Sequence, residues 1–166
     1  MVSAREEADI GKLASSEQWA ETEPDEAVRS RAATAPEGRL AEQRDWIDAC
    51  YAADTVEEIV ERLLASGVQE AKEAAETIAG KSPTSLKVTL AALRRARELP
   101  TLAEVMEQEY RVSCAMLAGP DLVEGVRAQV VDKDRTPRWS PSALADVSAA
   151  EVEGHFAATD HQPLFG

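Results

Sequence analysis

Cysteine and histidine are almost missing from this chain, with two of each in 166 residues. Two cysteines, Cys50 and Cys114, cannot build a disulfide framework. Each falls in a helical pattern, so buried free thiols in a reducing, cytoplasmic setting are expected. The histidines, His155 and His161, lie six residues apart near the C-terminus. No cysteine or acid cluster accompanies them at metal-ligand spacing, so solvated rings are expected and a metal site is not. No nucleophile is marked either: there is no GxSxG turn, and Cys114 sits on a helix rich in apolar residues. The eight glycines are isolated from one another. That excludes GxGxxG and phosphate-loop motifs, and leaves no segment suited to aiming two adjacent backbone N–H groups at an oxyanion. No apolar run approaches the roughly 20 residues that cross a bilayer. The acidic first twenty residues, which lack an apolar core, are expected not to form a signal peptide.

Aromatic residues make up only 4% of the chain, so a core must be built mainly from alanine, leucine and valine. With 44% hydrophobic residues there is enough apolar material to build one. Acids outnumber bases 31 to 18, a formal charge of −13, which argues against nucleic acid and anionic membrane as partners. The imbalance is concentrated in residues 1–83, with 19 acids against 9 bases. Residues 84–166 carry 12 against 9 and would better tolerate an anionic ligand.

The pattern along the chain is helical and the fold class mainly α. Residues 1–39, interrupted by Pro24, Pro36 and Gly38, are expected to be weakly ordered, residues 40–157 to form a helical region, and 158–166 a frayed tail. Leu40, Ile47, Cys50 and Tyr51 fall along one helical face with Trp46 beside it. Thr55-x-x-Glu58 is a capping box, followed by Val56, Ile59, Val60, Leu63 and Leu64 at helical spacing, with Gly67 as the stop. Ala71, Ala75 and Ile78 mark a further helix before Gly80. Ser82-Pro83 is a strong start signal, and Leu86, Leu90 and Leu93 define its stripe. Thr101-x-x-Glu104 opens the longest helix, with Leu102, Val105, Met106, Val112 and Met116 expected inward and Gly119 closing it. Asp121 to Arg127 reads as a short helix. Val126–Val131 resembles a strand but has no pairing partner nearby. Ser148-x-x-Glu151 starts a last helix ending near Phe156.

The run Glu124–Trp139, EGVRAQVVDKDRTPRW, orders a helix end, a charged turn and a rigid segment pinned by Trp139. Lys133, Arg135 and Arg138 are the one local group of residues able to hold an anion, although Asp132 and Asp134 interleave with them and a solvated corner is the simpler reading. Arg94, Arg95 and Arg97 form a second basic cluster, expected on an exposed helix side.

SPTSLKVTL at 82–90, TLAEVMEQEYRVS at 101–113, EGVRAQVVDKDRTPRWSP at 124–141 and HF at 155–156 resemble the C-terminal part of the 3-hydroxyisobutyryl-CoA hydrolase family. That family is a branch of the crotonase (enoyl-CoA hydratase/isomerase) superfamily. IDACYAADTVEEIVERL at 47–63 is similar to the stretch just upstream in the same family. The resemblance implies a helical C-terminal portion of a crotonase-type fold, with the family's repeated β-β-α core absent. In the family that core supplies an oxyanion hole from glycine-rich turns and the acid–base glutamate and aspartate. No residue here matches them, so no catalytic residue is assigned and no cofactor is implied, CoA being part of the substrate. Lys133, then Arg135, are the residues the resemblance places near the CoA moiety. Three readings remain: the C-terminal region of a CoA-thioester hydrolase or other enoyl-CoA hydratase/isomerase family member, inactive alone; a non-catalytic module that self-associates or docks on a separate crotonase core; and an independent enzyme.

Overall fold

The computed structural model describes residues 38–157 continuously, together with Glu26, Arg29, Ala32, Ala33 and Leu164. The chain divides into two compact units, Met1–Ala41 and Glu42–Gly166. The weakly ordered segment expected over 1–39 lies almost wholly outside the described residues, and so does the tail 158–166 apart from Leu164.

The second unit is helical, without a strand among its described residues. Its elements are α1 (Arg44–Tyr51), α2 (Val56–Ala65), α3 (Gln69–Ala79), α4 (Pro83–Ala96), α5 (Leu102–Ala118), α6 (Pro120–Val126), a π-helical turn (Arg127–Val131) and α7 (Ala149–Gly154). Local chemistry sets most of the boundaries. Thr55 Oγ1 accepts the N–H of Glu58 at the start of α2 (3.1 Å), but the returning Glu58 carboxylate takes the N–H of Asp54, one residue short of a complete capping box. Thr101 with Glu104, and Ser148 with Glu151, form complete boxes at α5 and α7. Gly67 ends the α2 corner with φ +73°, a left-handed conformation that a side chain would strain. Gly119 is extended, so α5 stops there and Pro120 starts α6 one residue later.

The closed core lies between α1, α2 and α3. Ile59, Leu63, Ala71 and Ala75 are buried with Cys50 and Ala53, and Trp46 and Leu90 pack on the cluster. Burial of a side chain such as Leu63 contributes about 2 kcal/mol, and the alanines of α3 allow its backbone close to α2. Arg94 reaches from α4 to the carbonyls of Ala53 and Asp54 in the α1–α2 turn. Lys87 pairs with Glu57 (2.8 Å) and donates to the Val147 carbonyl (3.1 Å), tying the C-terminal segment to α2 and α4.

Several expectations need correction. Arg94 and Arg95 are not a solvated cluster with Arg97: Arg94 bonds the turn carbonyls, and Arg95 pairs with Glu153 and stacks on Phe156. Cys50 is buried as expected, but Cys114 is only half-buried. Leu93 faces outward, because α4 turns Val88 and Ala92 into the interior instead. Leu102 and Met106 are also exposed. Both α4 and α6 pack on α5, yet no residue of α5 is buried. The run Val126–Val131, which has no pairing partner in the sequence, is as expected not a strand: it joins α6 and the π turn.

Candidate functional site

Arg127 organises the charged corner. Its guanidinium forms a two-pronged pair with Glu124, Nε to Oε2 and Nη2 to Oε1 both at 2.8 Å. Its Nη1 reaches Asp132 (2.6 Å) and Asp134 (2.7 Å), and Nη2 also donates to the Thr136 carbonyl. Planar guanidinium geometry suits this forked binding in a way an ammonium does not. Hydrogen bonds from Arg127, then from the Arg138 backbone N–H, hold the Glu124 carboxyl at about 2. Hydrogen bonds from Arg127, then from the Thr136 N–H, hold Asp134 at about 2. The same carboxylates, Glu124 first, push the arginine further toward its charged form.

The corner is solvated, as the simpler view expects, but its charges pair in an order the sequence does not show. The acids that interleave with Lys133 and Arg135 do not neutralise them, because Arg127 takes Glu124, Asp132 and Asp134 together. Lys133 and Arg135 are exposed and adopt left-handed backbone angles, φ 57° and 56°, on either side of Asp134. Such angles cost a residue with a side chain about 1 kcal/mol. The turn is held by the Asp132 N–H on the Arg127 carbonyl (2.8 Å) and the Arg135 N–H on the Ala128 carbonyl (3.0 Å). Two cations are thus displayed on a turn whose acids bend back onto Arg127. Arg127 was not singled out in the sequence. Its position three residues after Glu124, and five and seven before two aspartates, is the signal that marks it.

Trp139 is the anchor expected of it. Its indole N–H donates to the Gly80 carbonyl (3.0 Å), and its ring lies over Gly125. A Cβ at residue 125 would sit 3.4 Å from that ring. Gly125 is therefore a seat for the tryptophan inside α6 rather than the helix stop it resembles. The neighbouring Ser140–Pro141 bond is cis.

Beside this anchor lies a cavity of about 340 Å³ lined by Thr84, Met116, Asp121, Pro141, Glu151 and His155 among others. Asp121 is buried and both its oxygens are committed. Oδ2 accepts from the Ser82 hydroxyl (2.5 Å), while Oδ1 accepts from the Ser140 N–H (3.1 Å). Ser82 also caps α4 through the Ser85 N–H (3.0 Å). His155 is half-buried rather than solvated, with Nδ1 2.8 Å from the Glu151 carbonyl. A carbonyl can only accept, so that nitrogen carries the proton. The cavity's buried carboxylate is thus a clamp, not a base awaiting a substrate. His161 lies outside the described residues. Among the described residues no group of three or more acids, cysteines or histidines is placed to hold a metal, and no helix is long and apolar enough to cross a membrane.

Comparison with known proteins places this helical unit. Residues 2–156 match the enoyl-CoA hydratase/isomerase family. The chain is 45% identical over 125 residues to the mitochondrial 3-hydroxyisobutyryl-CoA hydrolase of Danio rerio, covering 75% of this chain and 32% of that protein. It is 44% identical over 117 residues to the enzyme of the same name from Homo sapiens, covering 70% and 30%. The crystal structure of a carnitinyl-CoA dehydratase from Mycobacterium thermoresistibile superposes with a TM-score of 0.80 at 48% identity, over 85% of this chain and 40% of that one. An enoyl-CoA hydratase from Rhodobacter sphaeroides 2.4.1 gives 0.75 at 35% identity, over 91% and 43%. The chain spans about a third of the length of these curated relatives. The expected cytoplasmic location is overturned by the same relatives, which are mitochondrial by name. Free thiols argue for a reducing compartment, and that need not be the cytosol. By the match over residues 2–156, this chain belongs to the enoyl-CoA hydratase/isomerase family.

Proposed function

We propose that residues 40–157 are the C-terminal region of a 3-hydroxyisobutyryl-CoA hydrolase-type enzyme, which cleaves an acyl-CoA thioester in valine breakdown once the family's β-β-α core is supplied. The observation that carries this reading is the 45% identity to a named hydrolase confined to 32% of that protein's length. In support, the described residues offer helices, a committed carboxylate and a basic corner, and none of the chemistry the family draws from its core. The chain by itself is a non-catalytic part. Its test is a thiol-release assay on 3-hydroxyisobutyryl-CoA: no CoA is expected from the purified chain, and turnover by the chain alone rejects the reading.

Within the assembled enzyme, Lys133 and Arg135 face the phosphates of CoA. Their support is the commitment of all three neighbouring acids to Arg127. Exposed ion pairs contribute up to about 1 kcal/mol, so Lys133→Ala is expected to raise the KM for the acyl-CoA about two- to five-fold with kcat unchanged. An unchanged KM removes Lys133 from the site.

A second reading, a hydratase or dehydratase of the same family, is favoured by the 48% identity to a protein titled a carnitinyl-CoA dehydratase. Loss of enoyl-CoA absorbance without thiol release from the assembled enzyme would select it.

A further inference from the structure

We infer that the cavity beside the Trp139 anchor is a binding site for a small primary amine in its protonated form, held by Thr84, Glu151 and His155. The inference stands apart from the acyl-CoA reading, because none of these residues belongs to the basic corner.

The cavity is hollow because small groups meet there. Ala115 and Gly119 at the end of α5, and Gly154 at the end of α7, project little into a space of about 340 Å³. That volume lies at the small end of the range for ligand pockets, about 300–1,000 Å³. Pro120 and Pro141 form further wall and have no backbone N–H to offer. Asp121 is spent on Ser82 and Ser140.

What remains unpaired is almost entirely acceptor. Glu151 and His155 are four residues apart at α7 and so share one of its faces. Glu151 Oε2 accepts the Ser148 N–H and the Ser148 hydroxyl, both at 2.7 Å, which leaves Oε1 without a protein partner among the described residues. Those two bonds, the backbone one first, hold the Glu151 carboxyl below its usual value, so it is charged at neutral pH. His155 gives its Nδ1 proton to the Glu151 carbonyl, so Nε2 of the neutral ring keeps a free lone pair. The Thr84 hydroxyl also has no protein partner among the described residues.

Charge and valence then select the ligand. Two carboxylates, Asp121 and Glu151, line the cavity, and none of its described lining residues is a lysine or arginine. Walls of that sign repel an anion. An apolar molecule would strip water from three polar atoms and leave them unpaired. An alcohol brings one O–H for three acceptors. A primary ammonium brings three N–H donors and no acceptor, one donor for each of Thr84, Glu151 and His155, with a charge opposite to that of the walls. Met116 gives a short apolar body something to pack against.

The test titrates benzylamine into the full chain, with benzyl alcohol and benzoate as its neutral and anionic counterparts. The readout is the methyl NMR signal of Met116, and Met106, exposed and outside the cavity, is the reference. Benzylamine is expected to shift Met116 to saturation with a Kd about ten-fold below that of benzyl alcohol, and benzoate to leave the signal unmoved. No saturating shift at Met116 overturns the inference, and so does an equal Kd for the alcohol. Parallel shifts of Met116 and Met106 assign the effect to diffuse attraction by a chain of charge −13, and overturn it too. Glu151→Gln keeps an acceptor for the capping box while removing the charge. It is expected to raise the Kd for benzylamine about five-fold, and an unchanged Kd rejects the site. Should that variant not fold, Thr84→Val decides by the same criterion, since it removes the hydroxyl without touching α7.

Discussion

Arg127 holds three carboxylates, and its removal has a consequence that titration can follow. Glu124 and Asp134 are held at about 2 in the folded chain, against usual values of 4.5 and 3.8. Depressed carboxyl values stabilise the fold above the unfolded values, and the gain is lost as pH falls through the folded ones. Arg127 therefore supports the corner at neutral pH, and its contribution fades between about pH 4.5 and 2. In Arg127→Met both carboxyls are expected to return toward their usual range, read by NMR titration of the side-chain carboxyl carbons. The stability difference between wild type and variant should shrink across that same window. A Glu124 that still titrates near 2 in the variant would show that the Arg138 N–H, not the guanidinium, holds it. The corner's cations could be read from the sequence and so could its tryptophan anchor. What could not be read was which charges pair: interleaved acids look like neutralisers of Lys133 and Arg135 until the turn folds them onto Arg127.

The helix boundaries were largely legible, since Thr55, Ser82, Thr101 and Ser148 each announce a helix through a local hydrogen bond within three residues. Faces were less legible. Leu93 and Leu102 sit at helical spacing with their neighbours, yet periodicity says only which residues share a stripe, not whether another element covers it. Contacts between distant segments were invisible, and the Ser82–Asp121 bond spans 39 residues. That bond makes Ser82 more than a cap. A lost cap costs about 1 kcal/mol, and a buried carboxylate left short of a partner costs about 1–3 kcal/mol more. Ser82→Ala is accordingly expected to destabilise the chain by about 2–4 kcal/mol, with Ser85→Ala, which keeps the backbone N–H, far milder. Chemical denaturation decides it: a loss near 1 kcal/mol would reduce Ser82 to its capping role. Trp139→Ala should cost about 2–3 kcal/mol, below the range for fully buried aromatics because the ring is half-exposed. A loss under 0.5 kcal/mol would leave the C-terminal segment anchored by its other ties, those of Lys87 to Val147, Ser140 to Asp121 and Arg95 to Glu153.

Across the whole molecule, stability should follow the distribution of buried apolar surface, which is uneven. The α1–α3 cluster and the α4 residues Val88 and Ala92 account for most of the buried hydrophobics, while α5 holds none and Ala128 and Val147 stand apart. Elements with few buried contacts open at low free energy, without global unfolding. In the isolated chain, amides of α2 and α3 should therefore exchange only through the largest opening, and those of α5 and α6 at least tenfold faster. The carboxyl clamp around Arg127 does not change this ranking, since its members are surface groups of modest worth. Nor does the Arg94 bridge, which ties α4 to the closed side and leaves α5 beyond it. Uniform protection across α2 to α6 in the isolated chain would overturn this ranking, with the contacts of α5 to α4 and α6 holding it as firmly as the closed core holds α2.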